Sequence, residues 1–170
     1  MPVNKGTVQV AERSAGGSAA PVGDARASEK PARIVERAYK LRLTRNDAKA
    51  TAASIASFLE LVDPGVVFIV TGGMRFSGRG ELASLLHEAS QDWHDCRFDL
   101  AGLYPAADGR ILALGCILAA SYSDRPAARI PFANVWTVCE GLVRQVEAFE
   151  DRATAENATG IKARFRAETA

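Results

Sequence analysis

The chain has 170 residues, of which 48% are hydrophobic and 24% charged, and its formal net charge is +1. This is the composition of an ordinary globular domain with enough apolar residues for one core. The near-neutral charge and the scattered basic residues argue against nucleic acid and against an anionic membrane surface as partners.

No part of the sequence reads as a targeting or membrane segment. No apolar run approaches the ~20 residues that a membrane span needs, and the first 30 residues lack the apolar stretch of a secretory signal. The three cysteines, Cys96, Cys116 and Cys139, are far apart and form no C-x-x-C pair, so we expect free thiols packed as small apolar residues. Free thiols are typical of a reducing compartment, so we expect a cytoplasmic location. The chain has only two histidines, so we expect no metal site, and we also expect no cofactor.

The predicted organisation is one domain between two tails. Residues 1–30 are small and polar, especially over 14–21, and are predicted to be a disordered tail. Residues 31–158 are predicted to form the domain, and residues 159–170 a C-terminal tail.

Three helices are predicted in the first half of the domain. The first follows Pro31, the second is capped at Asn46 or Asp47, and the third begins at Ser77 and Gly78. The apolar faces are Ile34, Val35, Ala38 and Tyr39 in the first helix, Ile55, Phe58, Leu59 and Val62 in the second, and Leu82, Leu85, Leu86 and Ala89 in the third.

Strands separate the second and third helices and fill the rest of the domain, until a short helix follows Asp151. The predicted strands span residues 66–70, 74–76, 95–104, 110–122, 129–139 and 142–150. Short turns join the last four, which favours an antiparallel sheet with the early helices covering one face. We therefore predict an α+β domain, a cone-shaped curved antiparallel sheet packed against three N-terminal helices and enclosing a pocket. Four small residues of one strand would leave room for that pocket: Ala113, Gly115, Ala119 and Ala120.

The element order and four local stretches resemble one known family. The stretches are Tyr39 to Asp47, Leu61 to Phe68, Phe76 to Glu81, and Phe132 to Val138 with Gly141 and Asp151 after it. They are similar to the SnoaL-like polyketide cyclases, in the superfamily that includes ketosteroid isomerase, limonene epoxide hydrolase and nuclear transport factor two. The resemblance implies an apolar small-molecule pocket and a homodimer formed through the outer face of the sheet. It specifies no activity, because this fold hosts many chemistries and several non-enzymes.

Matching the chain to ketosteroid isomerase places Tyr39 at the oxyanion tyrosine and Asn134 at the protonated aspartate. An amide donates a hydrogen bond without any pKa adjustment, so a two-donor oxyanion site is retained. The position of the catalytic base falls on or near Ile69, where there is no carboxylate. Matching to limonene epoxide hydrolase places Ala148 at one of that enzyme's carboxylates. Both reactions therefore lack a group that their standard routes require.

Other polar residues have a structural and a functional interpretation. Tyr39 is a pocket donor or a helix residue packed on the sheet, and Asn134 makes a structural hydrogen bond or a ligand contact. Period two on the last strand groups Arg144, Val146, Ala148 and Glu150 on the face that the resemblance points to the cavity. Glu150 would then be a general acid or base near the pocket mouth, or a solvated charge at its rim. Arg97 and Asp99 share a strand face and are interpreted as a surface ion pair.

Two hypotheses follow. The first is a small-molecule-binding protein whose chemistry, if it is an enzyme, is cofactor-independent isomerisation, cyclisation or hydration, with Tyr39 and Asn134 polarising a carbonyl and Glu150 moving a proton. The second is a non-catalytic ligand-binding or dimerisation module of the same fold. In both, the predicted pocket lining is Phe68, Trp93, Phe132, Trp136, Val146 and Ala148.

Overall fold

The structure is a computed structural model that describes residues 23–120 and 127–162. Its helices are α1 (Gly23–Ala38), α2 (Ala48–Leu59), α3 (Gly78–Asp92) and α4 (Arg152–Thr159). Its strands are β1 (Arg42–Leu43), β2 (Val62–Ile69), β3 (Arg75–Ser77), β4 (Asp95–Pro105), β5 (Ile111–Ala120), β6 (Ala128–Cys139) and β7 (Leu142–Phe149).

All seven strands form one sheet in the order β1-β4-β5-β6-β7-β2-β3. Neighbouring strands run antiparallel except β2 and β7, which are parallel. The sheet is curled and its helices pack on it, which confirms the predicted cone-shaped α+β fold. The parallel pair was not predicted, because short turns reveal only which consecutive strands are neighbours.

The predicted start of helix α2 agrees with the structure, and the predicted start of helix α1 does not. The Asp47 carboxylate accepts a hydrogen bond from the Ala50 backbone N–H at 2.8 Å, so the predicted cap of α2 is confirmed. In contrast, α1 begins at Gly23, within the segment predicted to be a tail, and Pro31 lies inside the helix. Proline favours a helix start because it lacks an N–H, which is why the sequence placed the start too late. The rest of the predicted N-terminal tail lies outside the described residues, as do residues 163–170.

Two apolar cores lie on opposite faces of the sheet. The inner core joins the first three helices to the concave face, through Val35 of α1, Phe58 of α2 and Leu82 of α3. The outer core lies beneath α4, where Ala155 packs on the other face of β5 and β6. Strand β6 supplies both cores, because alternate side chains point to opposite faces.

Two sequence predictions need correction, one about the burial of a cysteine and one about the partner in an ion pair. Cys139 is exposed at the end of β6 rather than packed in the core, whereas Cys96 is buried. Burial, followed by the nearby charge of Asp95, raises the pKa of Cys96 to about 11. Asp99 forms its ion pair with Arg129 on β6, at 2.9 Å, and not with the Arg97 predicted as its partner. The pair is on the surface, so we expect it to contribute little stability.

Within the described ranges, no helix is both long enough and apolar enough to cross a membrane. The same ranges contain no group of three or more His, Cys, Asp and Glu side chains arranged to hold a metal ion.

Gly115 of β5 lies directly opposite Phe132 of β6. A Cβ atom at this position would overlap the Asp99 carbonyl oxygen and approach the Phe132 ring to 2.7 and 2.9 Å. The absence of a side chain therefore lets the Phe132 ring lie across β5, on the concave face.

Gly115→Ala should destabilise the fold by about 1–3 kcal/mol, because the backbone of β4 cannot move away as a flexible side chain could. Urea unfolding measures the change. Gly80→Ala is the matched control, since its added Cβ meets nothing within 4 Å and helix α3 gains roughly 0.5–1 kcal/mol. Equal stability of the Gly115→Ala variant and the wild type would contradict the packing described here.

Candidate ligand-binding site

Exposure increases along the inner face of strand β6, from a buried end to an exposed end. Along β6, Trp136 is 3% exposed, Asn134 and Phe132 are half-buried, and Ile130 is 41% exposed. These four residues alternate on the strand and share the inner face. We call the inner-face region around Asn134 the chamber, its buried end at Trp136 the floor, and its exposed end towards Ile130 the mouth.

Tyr39 brings a hydroxyl group to the floor of the chamber. It follows the last residue of α1, its N–H bonds to the Val35 carbonyl at 3.1 Å, and the residue is only 6% exposed. The hydroxyl oxygen accepts one hydrogen bond from the Asn134 amide nitrogen at 3.0 Å and another from the Trp136 indole nitrogen at 2.9 Å. Two donors from β6 thus converge on one phenolic oxygen.

Aromatic rings hold Tyr39 in place. Phe132 stacks on it with ring centroids 5.1 Å apart and 14° between the planes. Phe98 and Trp136 meet it edge-on, at 5.6 and 5.2 Å. Phe98 was not predicted for the site, although period two along β4 puts it on the same face as the buried Cys96. The ring contacts leave the hydroxyl little freedom to move.

Burial raises the pKa of Tyr39 well above its usual range, and the hydrogen bonds from Asn134 and Trp136 oppose that shift more weakly. The hydroxyl is therefore protonated at neutral pH. Since its oxygen already accepts two hydrogen bonds, its own proton remains to be donated to a third group. Bonds received at the oxygen also polarise the O–H and strengthen it as a donor.

Asn134 is the polar side chain at the centre of the chamber. Its neighbours across the sheet, Ala113 of β5 and Ala148 of β7, carry only methyl groups. Its amide nitrogen has two protons and gives one to Tyr39, so the other is available to a ligand. Tyr39 and Asn134 therefore each keep one proton to donate to a further group.

The predicted apolar lining divides between wall and floor. Val146 is fully buried opposite Trp136, and half-buried Phe68 pairs with Val146 from β2. This pairing directs Phe68 inward, whereas Ile69 pairs with Glu147 on the other face. Phe68, which is apolar, is therefore on the inner face of β2, and Ile69 is on the outer face.

Three other positions considered in the sequence have different surroundings. Trp93 ends α3 and packs half-buried against the inner core. Glu150 is exposed, one residue beyond β7. The prediction that Arg144 faces the cavity is wrong, because a register irregularity beside Val143 turns it to the surface, where it pairs with Asp63 at 3.3 Å. A bulge of this kind is not visible in the alternation of the sequence.

No family model matches the chain, and no curated protein sequence matches it. Solved structures do. An NTF2-like protein of unknown function from Burkholderia pseudomallei K96243 matches with a TM-score of 0.59 and 16% identity, over 78% of this chain and 99% of that one. A protein from Jannaschia sp. CCS1, whose name assigns it to the SnoaL-like polyketide cyclases, gives 0.58 and 13%, over 87% and 100%. TerC, co-crystallised with polyporic acid, gives 0.58 and 17%, over 77% and 98%.

The chain therefore has the NTF2-like cone fold, in the form also seen in proteins named SnoaL-like polyketide cyclases. The resemblance read from the sequence is confirmed at this level. Sequence identities of 13–17% establish the fold alone.

Tyr39→Phe should lower the free energy of unfolding by about 1–3 kcal/mol, because the donors of Asn134 and Trp136 lose their shared acceptor. Chemical denaturation followed by circular dichroism measures it. Tyr104→Phe removes the same atom from a half-buried tyrosine of the outer core and should change stability by less than about 0.5 kcal/mol. If both variants lose the same stability, the convergence of donors on Tyr39 contributes nothing special.

Proposed function

We propose that this protein binds an apolar small molecule carrying a carbonyl group in the chamber, with the carbonyl directed at Tyr39 and Asn134. The observation that supports this most is the pair of protons still to be donated by the Tyr39 hydroxyl and the Asn134 amide, set among otherwise apolar side chains. A carbonyl oxygen accepts two hydrogen bonds, so it complements both donors at once.

The surroundings favour a flat, largely apolar ligand. Half-buried Phe68, Phe132 and Ala148 face the same space as the Asn134 amide and offer little else to a ligand than apolar surface. Pockets for small molecules combine such walls with a few convergent polar groups. TerC, which shares the fold, was crystallised with polyporic acid, and that precedent agrees with a small-molecule role.

The same donors would support catalysis. Two hydrogen bonds to a carbonyl oxygen in a water-poor site stabilise the negative charge that develops there during isomerisation, cyclisation or hydration without a cofactor. Such a reaction also needs a group that moves a proton, and we assign Glu150, near the mouth, as its candidate.

Non-catalytic ligand binding is the second candidate function. Two positions favour it: Glu150 is exposed beyond the end of β7, and β2 carries only the apolar Phe68 and Ile69 at and beside the place where the resemblance puts a base. The two candidates share the same binding geometry and differ in whether the bound ligand is converted.

Binding of 2-acetylnaphthalene tests the proposal. We expect saturable quenching of the tryptophan fluorescence and a shift of the ligand's C=O stretching band to lower wavenumber on binding, because hydrogen bonds weaken that bond. Tyr39→Phe and Asn134→Ala should each weaken binding by about tenfold and reduce the band shift. Tyr104→Phe is the control and should leave both unchanged.

An unshifted carbonyl band, or unchanged affinity in both variants, would remove the assigned roles. Product analysis of a panel of aromatic ketones separates the two candidate functions, since turnover that is lost in Glu150→Gln supports catalysis and binding without turnover supports a binding module.

The homodimer and the cytoplasmic location stay predictions. For the dimer, the outer face of the sheet beyond α4 carries half-buried Cys116 and Leu118 beside the Asp99–Arg129 ion pair, a mixture of apolar and polar groups that suits an interface between copies. Light scattering should give twice the mass of the chain, and substitution Leu118→Arg should give the monomer. A wild-type monomer over the micromolar range would refute the dimer.

A further inference from the structure

The Asn134 amide has a second unused group besides its free N–H. Within the described part of the chain, its only polar contact is the hydrogen bond to Tyr39, made through the nitrogen. No fully buried side-chain oxygen or nitrogen there lacks a partner, so the Asn134 oxygen, which has no partner among the described residues, is not fully buried. An acceptor and a donor thus stand side by side on one planar, half-buried group on the inner face of β6.

From this geometry we propose that Asn134 pairs with an adjacent donor and acceptor on the ligand, and that the ligand is an uncharged lactam, enol or hydroxy-carbonyl compound. This inference rests on the proposed function and makes it more specific. A carbonyl alone would use the amide N–H and leave the amide oxygen without a partner once the ligand displaced its water. A ligand with a neighbouring N–H or O–H satisfies both.

The apolar side chains around Asn134 make the site selective for an uncharged ligand. Ala113 and Ala148 flank Asn134 across the sheet, and Phe132 and Trp136 are the inward residues before and after it on β6. None of these side chains carries a positive charge, so a carboxylate or phenolate beside them would lose hydration that the two hydrogen bonds from Tyr39 and Asn134 replace only in part. It would also face the lone pairs of the amide oxygen. The neutral form of an acidic ligand is the form that fits.

Four naphthalene-sized probes separate these requirements. Isoquinolin-1(2H)-one carries an N–H next to its C=O, and its N-methyl derivative keeps only the acceptor. The 4-methyl isomer has the size of the N-methyl compound but keeps the donor, and 1-naphthoate is an anion of similar shape. Affinities of the full chain are measured by tryptophan quenching and calorimetry.

We expect the lactam and its 4-methyl isomer to bind about tenfold more tightly than the N-methyl compound, which corresponds to one additional hydrogen bond. The naphthoate should bind most weakly, and its affinity should rise as the pH approaches the pKa of its own carboxyl group. In Asn134→Leu, the preference for the lactam over the N-methyl compound should fall below about threefold. Retained binding of the N-methyl compound and an unchanged near-ultraviolet circular dichroism spectrum show that this variant still forms the chamber.

The outcomes distinguish this inference from the proposal it rests on. If the N-methyl compound binds as well as the lactam, the pairing with Asn134 is wrong while carbonyl binding stands. Tighter binding of 1-naphthoate than of the lactam also overturns the pairing, because it would mean that Asn134 presents donors alone. If neither the lactams nor 2-acetylnaphthalene bind, the proposed function itself fails and the pairing fails with it.

Discussion

The arrangement of the chamber depends on the hydroxyl oxygen of Tyr39, where the end of a helix meets the middle of a sheet. Its two donors are 95 and 97 residues away along the chain, so the contact requires α1 and β6 to be placed with respect to each other to within a hydrogen bond. Because a buried N–H without an acceptor is costly, these bonds discourage other positions of the helix. The same oxygen orders the polar part of the site and helps fix the packing of the fold.

Much of the architecture was predictable because it is local in the sequence. Period two after Trp93 and the turn residues at Asp108–Gly109 and Glu140–Gly141 mark strands β4 to β7. Two features depend on distant parts of the chain and left no local signal. One is the parallel pairing of early β2 with the last strand, and the other is the irregularity in β7 that turns Arg144 outward. Both are decided by how the curled sheet closes its core.

The site was predictable in part, and the reason differs from residue to residue. Family resemblance singled out Tyr39 and Asn134, and the structure brings them within 3.0 Å. The indole of Trp136 was assigned to the lining, but its role as the second donor to Tyr39 follows from three-dimensional placement alone. Phe98 was not assigned to the site, because only its charged neighbours Arg97 and Asp99 were considered in the sequence, as a surface ion pair, although its own side chain faces inward. Sequence alternation predicts which face a residue is on and not what it meets there.

Strand β6 has apolar partners on both sides of the sheet, with Ala133 and Val135 under α4 and Phe132 and Trp136 in the chamber. A shift of its register by one residue would exchange these two sets and bury large rings where the smaller Ala133 and Val135 pack. The packing on both faces therefore fixes the register of β6, and with it the position of Asn134 relative to Trp136. We therefore expect the ligand preference of such a protein to change through substitution of individual side chains on β6. A shift of the strand register would disrupt both cores.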